Sequence, residues 1–71
     1  MAVKMDSLPT LVRQTRKQAG LSQAELADLA GVGKTLIFDL EKGHRKLSFE
    51  NLQKICRVLN IRIEFHPPKI P

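Results

Sequence analysis

The stretch Lys34–Lys42 carries side chains suited to contact with another molecule. Helical periodicity turns Ile37 and Leu40 to one side, toward a core. Four residues face the other way: Lys34, Thr35, Phe38 and Asp39. These outward side chains offer hydrogen bonds, charge and apolar contact, which are the interactions by which one molecule recognises another.

Catalytic chemistry has little support in this chain. His44 and His66 have no nucleophile or metal partner at helical spacing, and no Cys/His cluster has zinc-site spacing. Cys56 lies on an apolar helix face, where a small buried hydrophobe is the expected role. Ser22 and Ser48 are explained as helix caps. We therefore predict no enzyme, no metal and no cofactor.

The charge of the chain indicates a polyanionic partner. The 71 residues carry a net charge of +5, and the pI is about 9.9. Nucleic acid is the first expectation and an anionic membrane surface the second; the alternative is a basic surface without a partner. No apolar run approaches the roughly 18 residues of a membrane span. With no signal-peptide core and one cysteine, a cytoplasmic protein is expected.

The chain is predicted to form one domain over residues 1–71. A loose arm at 1–6 precedes a helical core at 7–60, followed by a strand at 61–66 and a tail at 67–71. Helices are bounded by capping residues at their starts, Ser7, Ser22 and Ser48, and by left-handed stops at their ends, Gly20, Gly31, Gly43 and Asn60. Ser22 and Glu25 have the spacing of a capping box.

The C-terminal segment changes pattern. Apolar and charged residues alternate with period two, which predicts a β-strand: Ile61, Arg62, Ile63, Glu64 and Phe65. A lone strand needs a partner, and the simplest is the same strand of a second copy, giving a homodimer. The alternative is an extended tail whose apolar side chains cover the core.

Residues 22–42 have the spacing of a helix-turn-helix. The packing positions are Leu26, Ala27, Gly31, Val32, Ile37 and Leu40. Ala27 is small where two helices approach, and Gly31 permits the positive φ of a sharp turn. In a basic chain this arrangement predicts DNA binding through a recognition helix at 34–42. A helical hairpin with no DNA role is the alternative.

Four sequence segments carry a family resemblance. They are Leu21–Ala27, Gly31-Val32, Ile37 and Leu40–Gly43. Together they resemble the phage-repressor and Cro-like (XRE) helix-turn-helix family over about residues 8–60. The resemblance implies a mostly all-α, four- to five-helix lambda-repressor-like domain. Here a C-terminal strand would replace the fifth helix, as in HipB-type antitoxins.

The resemblance also implies residue roles. Base reading falls to Gly33, Lys34, Thr35, Phe38 and Asp39. Lys34 would reach guanine or a phosphate, Thr35 a thymine methyl, and Asp39 the cytosine amine. Phe38 either packs on a thymine methyl or folds against the protein. Leu36 is expected on the same outward side.

Phosphate contacts are implied for a second set: Ser22, Gln23, Arg16, Lys42, His44, Arg45 and Lys46. Backbone amides at the start of the second helix favour an anion beside Gln23. Arg16 and Glu41 match an ion pair of the family, which would orient the guanidinium toward a phosphate. A solvated basic loop is the alternative for residues 44–46.

The function expected is a dimeric repressor of a palindromic operator in double-stranded DNA. The resemblance favours an antitoxin that represses its own operon and neutralises a HipA-like kinase toxin. One alternative is a stand-alone or phage-type repressor without a toxin. Another is a protein-interaction adaptor that has lost DNA binding, suggested by apolar Leu36 and Phe38 on the outward face.

Overall fold

Four α-helices make up the described part of the chain. The computed structural model describes residues 7–43 and 47–63. The helices are α1 (Leu8–Gln18), α2 (Gln23–Ala30), α3 (Lys34–Lys42) and α4 (Phe49–Leu59). Both α3 and α4 pack against α1 and against α2. The all-helical part of the predicted fold is therefore confirmed.

Local capping sets where α2 and α4 begin. The Ser22 hydroxyl accepts from the Glu25 N–H at 3.0 Å, and the Glu25 carboxylate accepts from the Ser22 N–H at 2.9 Å. Ser48 caps α4 by accepting from the Asn51 N–H at 3.2 Å. Ser7 precedes α1 as predicted, but its side chain makes no capping hydrogen bond.

All four predicted left-handed stops are confirmed: Gly20, Gly31, Gly43 and Asn60 have positive φ. Gly31 is the one that matters for the turn between α2 and α3. Its φ of 72° lets the Val32 N–H return to the Ala27 carbonyl at 2.9 Å. An L side chain is strained in that conformation, which explains the glycine.

One side chain from each helix meets in the centre of the core. Val12, Leu26, Ile37 and Ile55 have no exposed area. Ala27 and Leu40 are also buried, and Val32 packs against this cluster. These residues therefore lie in or against the core, where the helix-turn-helix spacing placed them.

Three sequence expectations about helix faces need correction. Helical periodicity places Ala19 on the inner face of α1 together with Leu8 and Val12, and it leaves Arg16 off that face. Ala19 is instead the exposed residue that ends the helix. Arg16, placed off that face, is buried. Leu36, expected outside, is also buried and belongs to the hydrophobic core. Packing by neighbouring helices covers more of α1 and α3 than periodicity alone indicates.

The predicted C-terminal strand is not present at Ile61–Ile63, where the backbone has no regular secondary structure. The Ile61 N–H closes the end of α4 by donating to the Cys56 carbonyl at 2.8 Å. The Ile61 side chain packs on the core. Ile61 thus completes the helix end instead of opening a β-ladder. Glu64 and Phe65 lie outside the described residues.

Other predictions fall on segments that the structure does not describe: the arm at 1–6, the basic loop His44–Lys46, the strand residues 64–66 and the tail at 67–71. Within residues 7–43 and 47–63, no helix is long and apolar enough to cross a membrane. The same residues hold no group of three or more His, Cys, Asp or Glu that could bind a metal ion.

Two leucines of α2 test the assignment of the core. Leu26 has no exposed area, whereas Leu29 is 63% exposed. We expect Leu26→Ala to lower the free energy of unfolding by about 2–5 kcal/mol, because it leaves a cavity. The same change at Leu29 should cost less than about 0.5 kcal/mol. Urea unfolding followed by circular dichroism measures both, and equal losses would contradict this core.

Candidate nucleic-acid interface

The turn Gly31-Val32-Gly33 presents the first residues of α3 to solvent. Gly33 is the N-cap of α3 and has an ordinary extended backbone, with φ of −75°. No side chain caps this helix start. The Gly33 carbonyl accepts from the Leu36 N–H at 3.1 Å, which closes the first turn. The amino end of α3 is therefore open to an approaching partner.

The outward residues of α3 differ in availability. Gly33, Lys34 and Thr35 are exposed, as a groove-facing role requires. Asp39 is half-buried and already interacts within the protein. Phe38 is 42% exposed. The first turn of α3 is thus the most accessible part of the predicted base-reading set.

A buried ion pair joins α1 to α3 beside this surface. Arg16 Nε donates to Glu41 Oε2 at 2.7 Å, and Arg16 Nη2 donates to Glu41 Oε1 at 2.9 Å. The two side chains are 9% and 4% exposed. The hydrogen bonds that Arg16 donates to Glu41 raise the pKa of Arg16 above its usual value, against the opposing effect of burial. The predicted pairing of Arg16 with Glu41 is confirmed.

The same pair also holds the loop and the helix that follow α1. Arg16 Nη1 donates to the Leu21 carbonyl at 2.8 Å, and Gln23 Nε2 donates to Glu41 Oε1 at 3.3 Å. Neither contact was predicted from sequence. Three of the five N–H groups of Arg16 are committed to the fold, so its chief structural role is to fix the elements around it.

An open cleft of about 350 Å³ lies above this pair, between α1 and α3. Arg13, Lys17 and Lys42 line it together with Phe38. The Lys42 ammonium lies 4.2 Å from the centre of the Phe38 ring, a cation–π contact. The Phe38 ring thus contacts a cation of its own chain, Lys42.

Arg13 and Lys17 were missed as candidate binding residues. Their spacing of four residues on α1 was a usable signal, because residues at i and i+4 share a helix surface. The spacing of residues in the sequence could not indicate that α3 lies beside Arg13 and Lys17. The structure brings these two residues to Lys42, while His44, Arg45 and Lys46 lie outside the described residues.

Ser22 and Gln23 lie at the start of α2, as predicted. Ser22 is exposed, but its hydroxyl and backbone N–H are both engaged with Glu25. Hydrogen bonds from the Ser22 backbone, and then from its hydroxyl, lower the pKa of Glu25.

Cys56 is buried as predicted, and desolvation raises the pKa of its thiol, which disfavours the reactive thiolate.

Comparison with known proteins supports one family. The model of the family described as helix-turn-helix matches residues 12–66. An uncharacterised HTH-type transcriptional regulator of Archaeoglobus fulgidus is 44% identical over 55 residues, covering 78% of this chain and 79% of that protein.

Two solved structures share the fold. The restriction-modification controller protein C.AhdI from Aeromonas hydrophila has a TM-score of 0.75 and 32% identity, over 79% of this chain and 85% of that one. The N-terminal DNA-binding domain of SinR from Bacillus subtilis has the same TM-score and identity, over 79% and 83%.

The buried ion pair predicts that substitutions at two glutamates, Glu41 and Glu50, lower the free energy of unfolding by very different amounts. Glu41→Gln leaves the Arg16 charge buried without its counter-charge, so we expect a loss of about 3–5 kcal/mol in the free energy of unfolding. Glu50 pairs with Lys54 at 3.7 Å on the surface. Glu50→Gln should therefore cost less than about 0.5 kcal/mol. Comparable losses in denaturant unfolding would refute a special role for the buried pair.

The capping box predicts a pH dependence. Because the fold lowers the pKa of Glu25, its carboxylate stabilises the protein above the usual Glu pKa. That stabilisation is lost as the pH falls through the lowered value. We expect the stability difference between the wild type and Glu25→Gln to disappear at acid pH. Thermal unfolding across the acid range measures it, and a difference independent of pH would contradict the linkage.

Proposed function

The chain belongs to the helix-turn-helix family, and we propose that it is a DNA-binding transcriptional regulator that places α3 in the major groove. The observation that carries this is the exposed first turn of α3, held on a buried core beside a cationic surface. A helix with its side chains is about 10–12 Å across, so a major groove about 12 Å wide accepts α3.

Base reading is proposed for the start of α3. The Lys34 ammonium donates to guanine O6 or N7, and the Thr35 methyl contacts a thymine methyl. The Gly33 backbone approaches closely because it carries no side chain. Asp39 lies one turn further on and is less accessible, so its proposed contact with cytosine is secondary.

Phosphate contacts would position the helix without reading sequence. Gln23 lies at the amino end of α2, where the helix dipole and backbone N–H groups favour an anion. Lys42 lies at the other end of α3. Arg16 holds Gln23 in place through Glu41 and offers its remaining N–H groups. The net charge of +5 favours association with DNA at low salt.

We propose that the chain acts as a homodimer on a palindromic operator. One short helix reads few base pairs, and two copies one helical turn apart, about 10 bp, double the site. A small domain also gains from burying more apolar surface. The names of two similar proteins, an HTH-type transcriptional regulator and a restriction-modification controller protein, describe regulators and mention no toxin.

A narrower antitoxin role remains a hypothesis based on the resemblance to HipB. It predicts a stable complex with a HipA-like kinase encoded beside this chain. Co-purification of this chain with the product of the neighbouring gene tests it. Recovery of the regulator alone from cells that express both proteins would count against a toxin partner.

Selection from a pool of random duplexes tests the proposed function. The wild type should enrich a palindromic site, whereas Lys34→Ala should lose the preference at one position in each half-site. The expected loss of discrimination is about 1–3 kcal/mol. Lys54→Ala removes the same charge from α4 and should leave the preference unchanged.

The competing hypothesis, that the protein is an interaction adaptor, predicts no binding to DNA. An adaptor would bind no duplex even at about 50 mM salt, where phosphate contacts are strong. In NMR titrations with duplex, the backbone amides from Lys34 to Asp39 would then show no shift. That result would overturn DNA binding as the function.

A further inference from the structure

The cleft between α1 and α3 has a neutral floor and a cationic rim. Its floor is the Arg16–Glu41 pair, in which one positive and one negative charge offset each other. Its rim carries Arg13, Lys17 and Lys42, all exposed. Among the described residues, none of these three forms an ion pair with a carboxylate. Three positive charges without a carboxylate partner in the described part of the chain therefore line one open cleft.

Phe38 forms the apolar wall of the same cleft. The ring contacts the Lys42 ammonium at 4.2 Å, which restricts where that flexible side chain points. An aromatic face at this site is poorly explained by core packing, because 42% of Phe38 is exposed. Its placement is explained if its task is to hold Lys42 toward the cleft.

We propose that Arg13, Lys17 and Lys42 bind backbone phosphates of DNA in this cleft, and that Phe38 is a positioning residue that orients Lys42. This proposal rests on the proposed function and extends it to α1. The cleft is open to the surface, so the sugar–phosphate backbone of a duplex can lie along it. The Arg16–Glu41 pair at its floor ties α1, which carries Arg13 and Lys17, to α3. Phe38 accordingly contributes to affinity through Lys42 and does not read a base.

Salt dependence on a generic duplex tests the cationic rim. Arg13→Gln and Lys17→Gln should each lower the slope of log affinity against log salt by about one, as expected for a lost phosphate contact. Arg57→Gln and Lys54→Gln remove the same charges from α4, away from the cleft, and should change the slope little. Fluorescence anisotropy measures the slopes, and circular dichroism checks that each variant is folded.

Equal slopes for the cleft and α4 variants, with a wild type that binds duplex, would overturn this proposal and leave the proposed function intact. A wild type that binds no duplex would instead overturn the proposed function. Inorganic phosphate at constant ionic strength separates the two sources of the anion. Saturable NMR shifts at Arg13 and Lys17 with phosphate, combined with unchanged duplex slopes in their variants, would assign the cleft to a free anion and reject backbone binding.

A double-mutant cycle tests the role of Phe38. If Phe38 acts through Lys42, Phe38→Leu should weaken duplex binding in the wild type but add nothing in the Lys42→Gln background. An equal loss in both backgrounds would show that Phe38 contacts DNA itself, contrary to the proposal. No loss in either background would also reject a positioning role.

Discussion

The Arg16–Glu41 ion pair is the interaction on which the arrangement of the outer surface depends. Through it, α1, the loop at Leu21, the start of α2 and the end of α3 are tied to two side chains. A buried charge is costly unless its hydrogen bonds are met, and here they are: the described residues contain no buried side-chain polar atom without a partner. The pair therefore fixes geometry at a place where apolar packing would give less directional control.

Two further features hold the four helices together: the residues that end each helix, and one core that all four helices share. A residue with positive φ lies just after each helix, so the segments that connect the helices are short. The four side chains without exposed area then bring every helix into one core. A consequence is that α3 has no independent stability: its position follows from the whole domain, since a nine-residue helix is too short to persist alone.

Sequence reasoning worked best where the determinant is local. Ser22 with Glu25, and the stop at Gly31, depend on neighbours within a few residues. It failed where the determinant lies elsewhere in the chain. The periodicity of α1 does not indicate that Arg16 is buried, because its counter-charge lies 25 residues away, and only the family resemblance predicted their pairing. Alternation at Ile61–Ile63 predicted a strand, but these residues have no β-partner in the described structure and Ile61 is used to end α4. Phe38 and Arg13 join one cleft only because of how α1 lies beside α3.

The open start of α3 has a consequence for how such a protein diversifies. Gly33 has no positive φ, and a side chain there would meet nothing within 4 Å. Lys34 and Thr35 are likewise exposed and take no part in the core. Replacements at Lys34 and Thr35 are therefore nearly neutral for folding, and the N-cap position of Gly33 accepts residues that cap a helix, such as Ser or Asn. Under the proposed function, in which these positions read bases, a lineage could change its target sequence by single substitutions here, without first acquiring compensating mutations in the scaffold.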